Sequence, residues 1–189
     1  MREMEDFSQS EFDEIYNGLK CCAIKEAYAV DFPKAIILGG QPGAGKSSLI
    51  TQLCVRQNKN VVVISGDDFR KEHPHFDQLY AQYGDDYVNY TQKFSSQVTE
   101  RLIDELSREK YNLIIEGTLR TSAVPIRTAE LLKSRGYHVE LAVMAVPPIL
   151  SYVGTIERYE RMKEIGTTDR KNTRLNSSHP SRSRMPSSA

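Results

Sequence analysis

The sequence has no excess of charge of either sign, and this absence limits its partners. Lysine and arginine together number 25, as do aspartate and glutamate, so the formal net charge is zero. Residues 169–189 carry five basic residues against one acidic residue, which leaves a net charge of −4 on residues 1–168. A mildly acidic body has no clustered basic face of the kind that nucleic acid or an anionic membrane requires, so we expect neither of these partners.

Cysteine is also scarce, and apolar runs are short. The three cysteines, at 21, 22 and 54, form an odd set without metal-ligand spacing, which indicates reduced thiols in a cytosolic protein. No run approaches the roughly 20 apolar residues of a membrane-spanning helix. The opening residues, MREMED, lack the apolar core of a signal peptide. We therefore expect a cytoplasmic protein that is neither exported nor membrane-bound.

The 189 residues, 39% of them hydrophobic, are enough for one globular domain with a buried core. Four short apolar runs alternate with segments of helical periodicity and lie at 35–38, 61–64, 113–115 and 141–146. This alternation predicts an α/β fold with a doubly wound, mostly parallel sheet that is flanked by helices and buried on both faces. Helices after the first run are expected at 45–57, 76–82, 90–108, 125–134 and 148–164.

Helix boundaries are marked by individual residues. Ser8 and Glu11 have the spacing of a capping box, and the apolar residues that follow recur with helical period, so a further helix is expected before the first strand. Pro125 and Pro148 stand where the first turn of a helix tolerates a missing N–H. Gly136 stands where a helix C-cap is expected.

Residues 169–189 differ in character from the rest. The stretch DRKNTRLNSSHPSRSRMPSSA contains six serines and three apolar residues, too few to bury the surface that folding requires, so we expect disorder there. It closely resembles the translation of a synthetic sequencing adapter, and we interpret it as an artefactual tail behind a domain at 1–168. The alternative is a natural Ser/Arg-rich tail that contacts RNA or lipid.

The strongest motif is GQPGAGKS at 40–47, which fits G-x-x-x-x-G-K-[ST] between a strand and a helix and predicts a P-loop NTPase fold. Its glycines let backbone N–H groups converge on a phosphate chain at the positive end of the next helix. Lys46 would bridge the outer phosphates, and the Ser47 hydroxyl would bind Mg²⁺. The alternative is a glycine-rich turn with an exposed lysine. The predicted ATP-binding residues are Gly40, Gln41, Pro42, Gly43, Ala44, Gly45, Lys46, Ser47 and Ser48.

Two carboxylates follow the second apolar run, in ISGDDFR. The carboxyl end of a strand in an open parallel sheet is where ligands bind. A carboxylate beside nucleotide phosphates can act as a general base or position a metal ion or water. Asp67 favours such a role because it comes directly after the strand and Gly66. For Asp68 an N-cap of the next short helix is an equal alternative.

A third group of polar residues ends the run at 113–115, in IIEGTLRT. A carboxylate that emerges from an apolar run is costly to bury without a partner. We therefore expect Glu116 to pair with Arg120 or with a bound ligand at the site. The alternative is a structural ion pair at the sheet edge.

Spacing alone assigns no role to Arg158 or to Glu100. On the last helix, Glu157 and Arg161 have the spacing of a solvated i,i+4 pair, and nothing local distinguishes Arg158 from Arg161. An arginine here could nevertheless stabilise charge on a transferring phosphate. Glu100 lies among other charges on a long helix, where a surface charge is the default.

Among P-loop proteins these motifs favour a kinase. Residues 1–168 contain neither the N-K-x-D nor the D-x-x-G of a GTPase, and a motor or transporter ATPase is usually larger. Acids at two further strand ends favour transfer to a small molecule, with the acceptor hydroxyl near Asp67.

Four stretches in order, GGQPGAGKSS, ISGDDFRKEHPHF, YNLIIEGTLRT with VPIRTAELLKSRGY, and AVPPILSYVGTIERYE, together resemble the zeta toxins of bacterial toxin–antitoxin modules over about 6–162. Zeta toxins are P-loop kinases that phosphorylate the 3′-hydroxyl of the amino sugar of UDP-N-acetylglucosamine. An epsilon-type antitoxin, a small helical bundle, blocks their ATP site. The resemblance implies this activity, ATP and Mg²⁺ as cofactors, and such a partner. A kinase with another acceptor, or a nucleotide-binding interaction protein without transfer, is the alternative.

The resemblance also implies roles for individual residues. Lys46 and Ser47 match the phosphate lysine and the Mg²⁺ hydroxyl, and Asp67 matches the general base. Arg158 matches the first of two arginines on the transferring phosphate, which reverses the spacing argument. The implied substrate-binding residues are Asp67, Glu100, Glu116, Thr118 and Arg120. Because zeta toxins continue with a second arginine and further helices, the domain at 1–168 is expected to be incomplete at its C-terminus.

Overall fold

The computed structural model of the chain describes residues 6–117, 119 and 121–164, the last three by their backbone only. Within these residues four parallel strands form one sheet in the order β2-β3-β1-β4. The strands are β1 (Lys34–Gly40), β2 (Val62–Ser65), β3 (Leu113–Gly117) and β4 (His138–Met144). The predicted α/β fold with a parallel sheet is therefore confirmed.

Helices connect the strands and cover both faces of the sheet. They are α1 (Gln9–Ile24), α2 (Lys46–Arg56), α3 (Gly66–Phe69), α4 (Phe76–Tyr83), α5 (Tyr87–Tyr90), α6 (Gln92–Arg108), α7 (Ala123–Ser134) and α8 (Pro148–Glu164). Short 3₁₀ turns lie at Arg70–Glu72 and Gly84–Asp86. In the described part of the chain, no helix combines the length and the apolar character needed to cross a membrane.

The core lies in two layers because β1 and β3 are central and present apolar residues to both sides. On one face Tyr16 of α1 and the buried side of α6, including Phe94 and Leu102, pack against the strands. On the other face Leu53 of α2 packs against Ile36 and neighbouring residues. This arrangement brings the carboxyl ends of all four strands to one edge of the sheet, where the loop before α2 begins.

The fourth strand departs from the prediction in its bounds and in its burial. It begins at His138, whose N–H donates to the Pro33 carbonyl oxygen, and ends before a Pro147-Pro148 pair that offers no N–H for a ladder. It was expected at 141–146 and buried on both faces. β4 is one of the two edge strands of the described sheet, and its Leu141 and Val143 are 65% and 58% exposed.

The predicted helix boundaries are mostly confirmed. The Ser8 N–H donates to the Glu11 carboxylate at 2.7 Å, and the Glu11 N–H donates to the Ser8 hydroxyl at 3.2 Å, which completes the capping box. Gly136 follows α7 in the left-handed region at φ 82°. Helix α7 begins two residues earlier than predicted, so that Pro125 is its third residue and still lies within the tolerant first turn.

Candidate active site

The segment between β1 and α2 has the backbone of a phosphate-binding loop. Gly43 and Gly45 have φ values of 74° and 89°, which an L side chain rarely adopts, and Gly45 caps α2 without a side chain. The Lys46 amine folds back over the loop and donates to the carbonyl oxygens of Gly40 at 3.1 Å and Gln41 at 3.2 Å. The loop therefore holds the positive charge of Lys46 close to the N-terminus of α2.

Glu116 faces this lysine from the neighbouring strand. Its carboxylate lies 3.8 Å from the Lys46 amine, and neither side chain is more than 23% exposed. Burial raises the pKa of Glu116 above its ordinary value, and Lys46 opposes that rise. The negative charges of Asp68 and Asp67 raise the pKa of Glu116 further. The described partner of Glu116 is thus Lys46, which was not the partner predicted from the sequence. Arg120, which was, lies outside the described residues.

Asp67 lies in α3, directly after β2. Its carboxylate accepts a hydrogen bond from Arg70 Nε at 3.0 Å, and Arg70 Nη1 donates to the Val88 carbonyl oxygen at 2.6 Å. Arg70 therefore fixes the Asp67 side chain. Because that side chain is also 46% exposed, a ligand can still reach it. Ser65 occupies the N-cap position of α3, so the N-cap alternative for Asp68 is wrong.

The start of α3 is also in contact with two residues of α6. Ser95 Oγ donates to the Gly66 carbonyl oxygen, and the Thr99 hydroxyl lies 3.3 Å from where a Gly66 Cβ would stand. Glu100 follows Thr99 on α6 and is exposed. It therefore lies one residue from the contact that supports the Asp67 turn.

The loop after β3 packs directly on β1. A Cβ at Gly39 would stand 2.0 Å from Leu119 Cδ1, so a larger residue at position 39 would displace the Leu119 side chain. Thr118 and Arg120, the neighbours of Leu119 in the chain, lie outside the described residues.

Helix α8 packs across the P-loop, and this packing leaves Arg158 and Arg161, which sequence spacing could not distinguish, with different exposures. Arg161 is 71% exposed and pairs with Glu157 at 2.6 Å, which confirms the predicted solvated pair. Arg158 is half-buried, on the side of the helix that includes Ser151. Ser151 Oγ donates to the Pro42 carbonyl oxygen at 2.6 Å. The helix that carries Arg158 is therefore in contact with the P-loop.

Three residues of this arrangement were not singled out from the sequence: Arg70, Ser95 and Ser151. Arg70 stands three residues after Asp67, which is a spacing for a local ion pair and was available in the motif. Ser95 and Ser151 act through contacts between elements distant in the chain. No local pattern distinguishes them from other serines on helices.

Comparison with known proteins is consistent with this architecture. The family model described as zeta toxin matches residues 23–177. The chain is 44% identical over 162 residues to toxin zeta of Streptococcus pyogenes, covering 86% of this chain and 56% of that protein. It is 43% identical over 160 residues to toxin PezT of Streptococcus pneumoniae serotype 4, covering 85% and 63%. The chain thus spans little more than half the length of the first of these curated relatives.

A solved structure supports the same assignment. It comes from the characterisation of the PezAT chromosomal toxin–antitoxin system of Streptococcus pneumoniae. It matches with a TM-score of 0.85 at 42% sequence identity, over 87% of this chain and 68% of that chain. Because the family model covers most of the chain and the solved relative has the same fold, the chain belongs to the zeta toxin family.

Proposed function

We propose that the protein is an ATP-dependent kinase that phosphorylates the 3′-hydroxyl of the amino sugar of UDP-N-acetylglucosamine in the cytoplasm. The observation that carries this proposal is the group of charges at one sheet edge. Lys46 on the P-loop lies 3.8 Å from Glu116, and Asp67 and Asp68 are close enough to Glu116 to raise its pKa. A phosphate-binding cation beside several carboxylates suits the transfer of a phosphoryl group to a hydroxyl.

The nucleotide would bind across the loop from Gly40 to Ser48. Backbone N–H groups and the N-terminus of α2 would meet the phosphates, and Lys46 would exchange its carbonyl partners for phosphate oxygens. Ser47 is exposed in the first turn of α2, where its hydroxyl can bind Mg²⁺. The ion would neutralise phosphate charge when bound.

Asp67 would act as the general base. Its carboxylate would take the proton of the sugar hydroxyl as that oxygen attacks the γ-phosphorus, and the bond to the β–γ bridging oxygen would break to release ADP. Arg70 supports this role because it fixes one carboxylate oxygen and leaves the other available. Arg158 would meet the charge of the transferring group, and the acceptor would be held by Glu100, Glu116, Thr118 and Arg120.

The solved relative belongs to a toxin–antitoxin system. We therefore propose that this protein poisons cell-wall precursor synthesis and is blocked by an epsilon-type antitoxin. In that case, adding the antitoxin is expected to lower both nucleotide binding and transfer.

The direct test is transfer of ³²P from [γ-³²P]ATP to UDP-N-acetylglucosamine, with the product identified by chromatography. Asp67→Asn is expected to lower the rate by about 10²- to 10⁴-fold, as removal of a general base does. Asp85→Asn, in the exposed turn at Gly84–Asp86, is the matched control and should leave the rate unchanged. Undiminished labelling by Asp67→Asn would reject the mechanism, labelling of a different sugar would reject the acceptor, and nucleotide binding without any labelling would indicate an interaction protein.

A further inference from the structure

Helix α8 packs against the P-loop through small and polar residues. Within residues 151–160 the less exposed positions follow the spacing i, i+3, i+4, i+7 of one helix face. They are Ser151, Gly154, Thr155 and Arg158. Large apolar residues lie on the exposed part of the helix instead: Ile149, Val153 and Ile156 are 64%, 51% and 42% exposed. Burial of apolar side chains against the loop therefore does not determine where this face of the helix sits.

The backbones of the helix and the loop are instead in direct contact. A Cβ on Gly154 would stand 2.5 Å from the Gly43 carbonyl oxygen. A Cβ on Gly43 would stand 2.4 Å from the Ser151 carbonyl oxygen and 2.9 Å from the Thr155 nitrogen. No side chain fits at either position without moving the helix or the loop.

The two glycines differ in the reason for their presence. Gly43 has a φ of 74°, which itself favours glycine. Gly154 lies inside a helix and is absent from the described residues with positive φ. Glycine is unfavourable inside a helix, so its presence there is explained by the close approach to Gly43 and by nothing in its own backbone.

Arg158 lies one turn after Gly154 on the same face. A displacement of the helix at Gly154 would carry the Arg158 side chain with it. Misplacing a catalytic group by about 1 Å can cost about 100-fold in rate. The contact with the loop is therefore suited to set the distance between this arginine and a phosphate chain bound by the same loop.

We propose that Ser151 and Gly154 are positioning residues: the Gly43–Gly154 backbone contact and the hydrogen bond from Ser151 to Pro42 fix Arg158 relative to the transferring phosphate. This inference rests on the proposed kinase function. It assigns α8 a second task besides carrying the arginine, which is to keep that arginine in register with the phosphate-binding loop.

The test is a double-mutant cycle on kcat for phosphate transfer. Gly154→Ala is expected to lower kcat by about 10- to 100-fold with the KM for the acceptor unchanged. Ser151→Ala, which adds no atoms, should lower kcat by about 3- to 10-fold. In an Arg158→Ala background both substitutions should change kcat by less than about twofold, because residues that act as a unit are not additive. Gly18→Ala in α1, where a Cβ would meet nothing within 4 Å, is the matched control and should leave kcat unchanged.

Three results would overturn the inference. The effects of Gly154→Ala and Arg158→Ala could multiply, which would mean that Gly154 acts on the loop or on folding and not through the arginine. Ser151→Ala could leave kcat unchanged. Arg158→Ala could leave the rate unchanged while labelled sugar still forms, which would leave the proposed function standing. If Gly154→Ala does not fold, as judged by thermal unfolding, the cycle of Ser151→Ala with Arg158→Ala decides alone.

A wrong acceptor is distinguishable from a wrong positioning role. The same cycle is measured on ATP hydrolysis without any sugar, since the arginine would meet the γ-phosphate in either reaction. Coupled effects on hydrolysis without sugar labelling would support the positioning role and reject the proposed acceptor. Additive effects on hydrolysis would overturn the positioning role whatever the acceptor.

Discussion

Glu116 shows how the fold shifts the pKa of a single carboxylate. Its strand continues an apolar run, so the carboxylate emerges where water is scarce, and burial raises its pKa. Its nearest described cation is the P-loop lysine, which also holds two carbonyl oxygens of the loop. The position costs stability when the carboxylate is ionised, and such a cost is typical of residues kept for function.

We expect Glu116→Gln to raise the thermal stability of the free protein at pH 7 and to lower its activity. The folded state binds the Glu116 proton more tightly than the unfolded chain, so ionisation weakens the fold at neutral pH, and this effect disappears as pH falls below the ordinary glutamate pKa. Loss of a charged hydrogen bond to substrate, worth about 1.5–3 kcal/mol, would lower kcat/KM by about 10- to 100-fold.

The measurement is Tm at pH 7 and at pH 4 together with kcat/KM. Glu130→Gln, on the exposed side of α7, is the control and should change neither quantity. A Glu116→Gln variant that is less stable than the wild type at pH 7 would show that the Lys46 pair outweighs burial, contrary to this account.

At the residue scale a local motif was enough to predict some candidate site residues. Lys46 and Ser47 were predicted from the glycine loop and Asp67 from its place after a strand, and their roles remain predictions. Arg158 could not be separated from Arg161 by spacing, because both lie on one helix and only the packing of α8 makes one half-buried. Gly154 carried a weak signal, a glycine inside a helical pattern, which indicates close packing but not its partner.

At the scale of elements, charged side chains join α1 to α6. The Lys20 amine contacts Glu105 at 2.9 Å and Glu109 at 2.7 Å, and Arg101 contacts Glu105 at 2.8 Å and Asp13 on α1. Burial opposes ionisation of Glu105, but hydrogen bonds from Lys20 and Arg101 prevail and lower its pKa to about 2. Glu105 is thus the centre of this junction.

We expect Glu105→Gln to destabilise the protein by about 1–2 kcal/mol at pH 7. The pKa shift sets an upper bound of about 3 kcal/mol, which screening at a partly exposed pair reduces. Because the folded pKa is lowered, this stabilisation is present above the ordinary glutamate pKa and is lost as pH falls towards 2. Urea unfolding at pH 7 and pH 3 measures it.

Glu109→Gln provides the matched comparison, since it removes a carboxylate from the same lysine. Its side chain is 44% exposed against 29% for Glu105, and we expect a loss of about 0.5 kcal/mol or less. Equal losses for the two variants would mean that Glu105 has no central role.

The elements themselves were predictable to different degrees. β1, β2 and β3 were located within about two residues at each end, since buried parallel strands give continuous apolar runs. The edge strand β4 was displaced because its first residues alternate in polarity and its exposed side resembles a loop. The four-residue helix α5 was missed, and the short helix anticipated after Asp68 begins earlier, at Gly66, because one turn is too short to show a helical period.

At the scale of the whole molecule, the sheet edge unites sites that are far apart in the sequence. The P-loop, the Asp67 turn and the end of β3 meet because parallel strands place all their carboxyl ends together. Sequence pattern predicted this meeting. It did not predict that α8 would cross the loop, since that depends on the backbone contact at Gly43.

We therefore expect nucleotide binding to raise the Tm of the whole chain, whether or not an acceptor is present. At a concentration of MgATP of about 100 times its Kd, binding to the native state adds about 2.7 kcal/mol. For a chain of this length that corresponds to a rise in Tm of about 5–10 °C. Lys46→Ala should lose most of this rise relative to its own unliganded Tm, whereas Lys25→Ala, exposed after α1, should retain it.

The contribution of the metal ion follows from the same measurement. Removing Mg²⁺ with EDTA should reduce the rise in Tm that ATP produces, because the Ser47 hydroxyl would help to hold the ion, which would neutralise phosphate charge when bound. Ser47→Ala should show a smaller difference between ATP with Mg²⁺ and ATP with EDTA than the wild type does. Since the Thr51 hydroxyl donates to the Ser47 carbonyl oxygen, a backbone atom, this substitution leaves that helix contact in place. An unchanged Mg²⁺ dependence in Ser47→Ala would remove Ser47 from the metal site and leave the P-loop assignment to Lys46 alone.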